Sequence, residues 1–185
     1  MPGPEDVAAA AAKDLLPSIW RWLLRFRRSA VRLCLEEGQP FEMTHPADAA
    51  GLALRTLRIE VSNAGQEALQ CLAKLERMER SDGKPFGNSF LPIGLSTQHQ
   101  EGEGRTRGLF NLRAGEKKLL SVASLNEADP SAEIRLHYET DAYPNPVPRG
   151  SYRIGISVYG GHKPATINCR LYVDGRGQLK LRREA

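Results

Sequence analysis

The sequence predicts a mainly β protein: an antiparallel β-sandwich of seven or eight strands, preceded by an N-terminal amphipathic α-helix. Three observations predict this class. Between residues 53 and 183, apolar side chains recur at every second position in several short segments, as in strands with one buried face. Clusters of Gly, Pro and Asn separate these segments at spacings typical of sandwiches. Before residue 38, the apolar and basic residues instead follow a period near 3.6, which is typical of a helix.

The N-terminal region divides into a flexible lead-in over residues 1–14 and a basic amphipathic helix over residues 15–37. The lead-in contains prolines, acids and a run of alanines but little that could be buried. In the helix, four arginines at spacings of four, three and four share one face: Arg21, Arg25, Arg28 and Arg32. The remaining surface carries large apolar side chains, and three contacts remain open for them: the domain's own sandwich, another copy or another protein, or an anionic membrane surface. These side chains are Trp20, Trp22, Leu23 and Phe26.

Residues 38–52 are predicted to form a linker or an irregular strap between this helix and the β region, because prolines and glycines interrupt the stretch. The domain over residues 53–183 begins with a strand in which Leu57, Ile59 and Val61 alternate with polar residues. A second alternating segment covers residues 69–76. Residues 66–80 are also rich in good helix formers, so a helix remains the rival interpretation there.

The second half of the chain continues the strand pattern. Residues 81–107 are rich in glycine and charge and predict a long loop with an edge strand near 90–95. Segments 109–113 and 117–124 flank Ala114-Gly115-Glu116, which indicates either a hairpin or two strands meeting at a sharp corner. A strand near 134–138 follows. A hairpin then joins 152–158 to 167–173, and a short strand containing Leu179 and Leu181 ends the domain.

The run Pro148-Arg149-Gly150-Ser151-Tyr152 and the alternating residues after it resemble the Pro-x-Gly-x-Tyr strand opening of immunoglobulin-like and fibronectin-III-like accessory modules of bacterial proteins. The resemblance covers about residues 53–183 and implies an immunoglobulin-like fold, but it implies no particular activity. The β region departs from true immunoglobulin domains because it contains no tryptophan. Cys71 and Cys169 occupy inward positions, as an inter-sheet disulfide would require, but we expect buried thiols in a reducing compartment.

Composition limits the classes of partner and location. The formal net charge is only +4, and the aromatic residues do not form the stacking pattern of single-strand readers, so nucleic acid is an unlikely partner. The acidic opening residues and the arginines within the apolar stretch from Ile19 to Phe26 predict neither a signal peptide nor a membrane-spanning helix. We therefore expect a cytoplasmic protein, with peripheral attachment to the inner face of the membrane as the alternative.

No motif in the sequence predicts a catalytic site, a cofactor or a metal ion. His137 lies at an outward position with Asp141 four residues later, but no motif places a nucleophile beside it, so an exposed strand histidine is the expectation. Neither His45 nor His99 has enough ligands nearby for a metal site. The two Gly-x-Gly patterns, 102–104 and 175–177, do not open helices and predict loops rather than phosphate cradles.

The sequence therefore favours a non-enzymatic protein-binding or assembly module, in which the N-terminal helix serves docking or dimerisation. The contacts would come from the four arginines and the four large apolar residues of that helix. The alternative is a peripheral membrane protein attached to anionic lipid through the same arginines and tryptophans. Ligand binding in the 81–107 loop is a further hypothesis, because Phe86 and Phe90 could offer aromatic platforms.

Overall fold

The computed structural model describes residues 31–45, 53–65, 68–82, 91–95, 109–138, 146–161 and 163–184. Within these ranges the protein is built of β-strands joined by turns, without a helix. The strands are β1 (Val31–Cys34), β2 (Glu42–Thr44), β3 (Leu54–Asn63), β4 (Leu69–Arg80), β5 (Ile93–Gly94), β6 (Leu109–Leu112), β7 (Lys117–Asn126), β8 (Arg135–Leu136), β9 (Ser151–Tyr159), β10 (Ala165–Val173) and β11 (Leu179–Arg183).

The strands form two antiparallel sheets. The first sheet has the order β1-β3-β7-β8, and β2 also pairs with β3. The second has the order β11-β10-β9-β4-β5, and β6 also pairs with β4. Strands β1 and β2 lie along one edge of β3, next to residues 60–63 and 55–57 respectively, while β7 occupies the other edge. Most consecutive strands lie in the same sheet, and among the described strands the chain passes from one sheet to the other after β3, after β6 and after β8.

One cluster of buried hydrophobic side chains contains residues of both sheets. Ile59 and Leu120 of the first sheet and Ile156 and Leu171 of the second are fully buried members. In β10, residues 167–171 alternate between buried and exposed, because a period of two directs every second side chain to the same face. Full burial of such a side chain contributes about 1.5–3 kcal/mol. The alternation seen in the sequence is thus confirmed as the origin of the core.

An ion-pair network links the two sheets along one side. Arg55 of β3 pairs with Glu42 of β2, and its Nε lies 3.6 Å from an Oε of Glu127. Lys180 of β11, in the other sheet, places its Nζ 3.7 Å from Glu42. The Glu127 carboxylate also accepts a hydrogen bond of 2.8 Å from the backbone N–H of Leu179. The network therefore joins β11 to the β2–β3 edge, next to the turn after β7.

Residues 113–116 form a corner between the sheets, which decides between the two predicted arrangements. Strand β6 belongs to the second sheet and β7 to the first, so the two do not pair as a hairpin. Gly115 has a φ of +72°, a conformation that L side chains adopt rarely. The predicted hairpin of residues 152–173 is confirmed, since β9 and β10 pair from Ser151 with Tyr172 to Val158 with Ala165. Residues 69–80 form a strand and not the rival helix.

The predicted helix over residues 15–37 is wrong at its C-terminal end. Residues Val31–Cys34 form β1, in which Arg32 lies opposite Ser62 of β3. The physical reason is that pairing satisfies the backbone groups at the β3 edge, while Val31 and Leu33 pack against the core. Residues 1–30, which include the predicted lead-in and most of the helix, lie outside the described residues.

The predicted linker also contains ordered structure. Residues Glu42–Thr44 form β2, and the preceding Phe41 is 5 % exposed. A single phenylalanine between prolines gives no period, so the pattern could not show that this stretch packs on the core. The described part of the chain has more strands than the seven or eight predicted, partly because β5 and β8 are two residues long.

Candidate interaction surface

The residues predicted to contact a partner are almost all outside the described part of the chain. Arg32 is described, and it is exposed in β1 of the first sheet. The other members of the predicted set stay a prediction: Trp20, Arg21, Trp22, Leu23, Arg25, Phe26 and Arg28. The described residues nevertheless contain another surface with the chemistry of an interface.

That surface is the outer face of the second sheet. Along β4, Cys71, Ala73 and Leu75 point into the core and are fully buried. The residues between them therefore point outward, and Leu72 and Lys74 are partly exposed. A β-bulge between Leu75 and Arg77 shifts the register against β9, so that two residues separate Leu75 from the next buried residue of β4. The outward positions of β4, β6, β9, β10 and β11 form one continuous face.

An apolar row crosses one end of this face. Leu109 of β6, Leu72 of β4 and Tyr159 of β9 lie directly opposite one another in three neighbouring strands. Leu109 is 38 % exposed and Tyr159 is 39 % exposed. Among the described residues, these two are the large hydrophobic side chains that are exposed. Side chains opposite each other in antiparallel strands have Cβ atoms about 5 Å apart. The three side chains thus form one patch, which we call the apolar row.

Polar neighbours hold Tyr159 in place. Its hydroxyl donates a hydrogen bond of 2.8 Å to an Oε of Glu76, and the Nζ of Lys74 lies 5.4 Å from the centroid of its ring. The hydrogen bond to Glu76 raises the pKa of Tyr159, so the phenol stays protonated at neutral pH. A fixed aromatic side chain loses less entropy when it binds a partner.

Small residues occupy the middle of the face. Gly155 and Ser157 of β9 lie opposite Asn168 and Thr166 of β10. The Oγ of Ser157 and the Oγ1 of Thr166 are 3.0 Å apart and share a hydrogen bond. At Gly155, a Cβ atom would lie 3.4 Å from the Asn168 Oδ1. The middle of the face is therefore shallow and polar.

Three arginines cross the far end. Arg153 of β9 lies opposite Arg170 of β10, and Arg170 lies opposite Arg182 of β11. We call these three residues the arginine row. Six positions of β9 separate Arg153 from Tyr159, which corresponds to about 20 Å along the strand. The face therefore has an apolar end, a shallow middle and a basic end.

The outer face of the first sheet has a different character, because it contains buried polar groups. Arg58 is 4 % exposed, and its Nε and the Nε2 of His137 are buried without a hydrogen-bond partner in the described part of the chain. Burial, together with the positive charges of Arg135 and Arg58, lowers the pKa of His137. His137 is half-buried and neutral at pH 7, so the expectation of an exposed strand histidine was wrong.

The three cysteines are free thiols. Cys71 of β4 and Cys169 of β10 are both buried in the second sheet, on either side of β9. The prediction of buried thiols is therefore confirmed, whereas an inter-sheet pair does not exist. Burial raises the pKa of the Cys169 thiol to about 12, which keeps it protonated and unreactive at neutral pH.

The described ranges contain no candidate for a metal site or for a membrane-spanning helix. No group of three or more His, Cys, Asp or Glu side chains there is placed to hold a metal ion. The same ranges contain no helix that is long and apolar enough to cross a membrane. The predicted loop at 175–177 is confirmed as the β10–β11 turn, in which an Asp174 carboxylate oxygen accepts hydrogen bonds from the backbone N–H groups of Arg176 and Gln178.

Comparison with known proteins gives no match to a family model, to a curated protein or to a solved structure. Function must therefore be argued from the surface itself. Sequence analysis missed the apolar row, although a signal exists: Leu72 and Tyr159 are apolar residues at outward positions of otherwise alternating strands. That signal can be used only when the inward phase of each strand is known.

Proposed function

We propose that this chain is a non-enzymatic protein-binding module, built on an immunoglobulin-like β-sandwich, and that it binds a protein partner through the outer face of the second sheet. The observation that carries the proposal is the apolar row of Leu109, Leu72 and Tyr159. The proposal keeps the function predicted from the sequence, but it moves the contact surface from the N-terminal helix to the sheet.

The strand order supports the immunoglobulin-like assignment. Immunoglobulin-type sandwiches place strands A, B and E side by side in one sheet and strands C, F and G in the other. The order β1-β3-β7 corresponds to A-B-E, and the order β4-β9-β10 corresponds to C-F-G. The extra strand β11 extends the second sheet beyond the strand that corresponds to G. A single core cluster with residues of both sheets supports a sandwich.

A tyrosine at the start of β9 gives independent support. Immunoglobulin-like domains often have a tyrosine near the start of strand F, whose hydroxyl donates to a backbone carbonyl a few residues earlier. Tyr152 has this position and donates to the carbonyl oxygen of Pro148. The fold assignment thus agrees with the resemblance seen in the Pro-x-Gly-x-Tyr sequence.

The chemistry of the face supports protein binding. Tyr and Arg are enriched among the residues that contribute most to the free energy of protein association. Tyr159 and the arginine row bring both residue types to one face, and Glu76 already holds the Tyr159 side chain. Burial of a leucine or tyrosine side chain at an interface contributes on the order of 1–3 kcal/mol. The apolar row is therefore large enough to act as the energetic centre of an interface.

The free thiols support a reducing compartment and hence the cytoplasm as the location. The peripheral-membrane alternative depends on arginines and tryptophans before residue 31, outside the described residues. No observation on the described strands favours that alternative, so lipid binding serves as an outcome to be tested.

The test is a selection of protein fragments from the source organism, displayed on phage, on the immobilised full chain. Fragments retained above a blank surface are purified, and their Kd is measured by fluorescence polarisation. We expect Leu72→Ser and Tyr159→Ser each to raise the Kd at least about tenfold, because each removes an apolar side chain from the centre of the contact.

Leu119→Ser is the matched control. Leu119 is also partly exposed but lies on β7 of the first sheet, so we expect an unchanged Kd. The proposal is wrong if no fragment is retained above the blank, or if the Leu72→Ser and Tyr159→Ser variants bind as tightly as the native chain. Retention of phosphatidylserine vesicles in place of protein fragments would support the membrane alternative.

A further inference from the structure

The arginine row is unusual because like charges lie directly opposite one another in adjacent strands. Arg170 faces Arg153 on one side and Arg182 on the other, across strands about 4.8 Å apart. Like charges in this relationship destabilise a sheet. Of the two outer arginines, Arg153 has 57 % and Arg182 64 % of its side-chain surface exposed. The row thus concentrates positive charge on an accessible surface, although repulsion between its arginines destabilises the folded sheet.

Contacts within the chain neutralise this charge only in part. The Nε of Arg153 lies 3.5 Å from Glu184, and the Nε of Arg182 lies 3.5 Å from Glu37. Exposed pairs of this kind are weak because water and salt screen them. At the centre, Arg170 donates a hydrogen bond of 2.9 Å to the neutral Ser151 hydroxyl and contacts the Tyr172 ring. The central guanidinium is held in position, yet these two contacts bring it no negative charge.

We infer that the arginine row binds an acidic segment of the protein partner, so that the partner carries apolar side chains at one end of its contact surface and carboxylates at the other. This inference rests on the proposed function, since it names the chemistry of the same partner. The guanidinium groups can each form two parallel hydrogen bonds with a carboxylate. Charge complementarity of this kind accelerates association and selects against basic partners.

Charge argues against other occupants of the row. A second copy of the chain would bring a face of the same net sign, because the arginine row with Lys74 and Arg77 outnumbers the two carboxylates of Glu76 and Glu79 on that face. Residues 1–30 contain five basic and three acidic side chains, so this segment also has the wrong sign. A continuous phosphate backbone or a lipid surface would meet Glu76 and Glu79, which lie on the same face beside the apolar row and the arginine row respectively. A protein segment can match all three zones of the face.

The experiment compares the fragments retained by two forms of the full chain. One is the native chain, and the other carries Arg153→Gln, Arg170→Gln and Arg182→Gln. We expect fragments selected on the native chain to be enriched in Asp and Glu relative to those selected on the triple variant. For a retained acidic fragment, the triple variant should raise the Kd at least about tenfold at low salt, with a smaller difference at high salt.

A second triple variant controls for net charge. Arg113→Gln, Arg135→Gln and Arg176→Gln remove the same charge from exposed positions away from the row, and we expect the Kd to remain native. Thermal unfolding of all three forms confirms that each is folded. If fragments are retained but their acid content is equal on both surfaces, the inference fails and the proposed function stands. If no fragment is retained, both fail.

Phosphate-bearing probes test whether the arginine row binds phosphate groups instead of carboxylates. Binding of a single-stranded oligonucleotide and of phosphatidylserine vesicles is measured with the same forms. We expect neither probe to bind the native chain more tightly than the acidic fragment. The contrary result is that one of the probes binds more tightly than the acidic fragment, and that the triple variant of the arginine row loses this binding while the charge-control variant keeps it. The row would then recognise phosphates, and the assignment of an acidic protein segment would be overturned.

Discussion

The Tyr152 hydroxyl donates a hydrogen bond of 2.7 Å to the carbonyl oxygen of Pro148, four residues earlier in the chain. The ring is 2 % exposed, and burial raises the pKa of the phenol, so it remains a donor over the whole physiological range. The bond fixes the entry of the chain into β9, which is the central strand of the second sheet. Any function of the outer face depends on the position of this strand.

Tyr152→Phe should therefore lower the free energy of unfolding by about 1–2 kcal/mol, because the change removes a buried hydrogen bond and keeps the ring. Urea denaturation followed by circular dichroism measures the difference. Tyr172→Phe is the control, since the contact seen for Tyr172 is between its ring and Arg170. We expect less than about 0.5 kcal/mol from that change. Equal losses in the two variants would contradict the role of the Tyr152 hydroxyl.

Gly160 follows β9 at a point where the backbone passes very close to β4. A Cβ atom at this position would lie 2.5 Å from the Cys71 Sγ and 3.2 Å from the Gln70 carbonyl oxygen. We expect Gly160→Ala to destabilise the protein by about 1–3 kcal/mol, as in other overpacked sites. Gly175→Ala, where a Cβ atom would meet no atom within 4 Å, should be nearly neutral in the same urea titration.

A double-mutant cycle tests the cause of this destabilisation. Cys71→Ala removes the nearest atom, so Gly160→Ala should cost less in that background than in the native chain. Backbone atoms of β4 also lie close to the new methyl group, and for that reason we expect a partial rescue. An unchanged cost in the Cys71→Ala background would show that the Sγ contact is not the source of the strain.

The strands on either side of Gly160, β9 and β10, were the part of the fold that sequence analysis predicted best. Apolar residues alternate regularly over 152–158 and 167–173, because every second side chain of β9 and β10 points into the core. Burial alternates in β10 as well, whereas in β9 the small outward residues Gly155 and Ser157 are also buried. The turn between them contains the expected glycines and proline. Where burial alternates and turns are marked, local pattern and tertiary structure agree.

The edge strands were predicted poorly for an equally physical reason. Strand β1 is four residues long, and its order comes from backbone pairing with β3, which no local pattern can reveal. The preceding arginine spacing continued into Arg32 and made a helix look consistent to residue 37. The candidate surface was missed because it consists of residues from β4, β6 and β9. Their proximity depends on the register of strands far apart in the sequence.

The thiols should react in an order set by burial. Cys34 is partly exposed, whereas Cys71 and Cys169 are buried. With a pKa of about 12, Cys169 has about one thiolate in ten thousand at pH 8, even before access is considered. We expect one fast phase with Ellman's reagent in the native protein, and two further equivalents after unfolding in guanidinium chloride.

Cys34→Ser provides the control for that experiment, because it should abolish the fast phase and leave the two equivalents that react after unfolding. Burial and the nearby Glu36 carboxylate raise the pKa of Cys34, so its rate should increase as the pH rises above neutrality. Three equivalents reacting at one rate in the native protein would contradict the positions of Cys71 and Cys169.

His137 should make stability fall on acidification. Burial is the largest cause that holds its pKa below the ordinary value of 6.5, and Arg135 and Arg58 contribute in the same direction. The unfolded chain consequently binds a proton at a higher pH than the folded protein does. The contribution of His137 to stability is complete above pH 6.5 and is lost as the pH falls through the window between 6.5 and the lower pKa of the folded state.

Urea titrations between about pH 8 and about pH 5 measure this dependence, and His137→Gln should make the acid side of the curve less steep. His45→Gln is the matched control, because it replaces a histidine that is exposed just after β2 and leaves the surroundings of His137 unchanged. The histidine C2 proton resonances give a direct check, since the signal lost in the His137→Gln spectrum should titrate below pH 6.5 in the native protein. A titration of that signal above 6.5 would mean that an anionic group compensates the positive charges around His137, and the sign of its effect on stability would then be reversed.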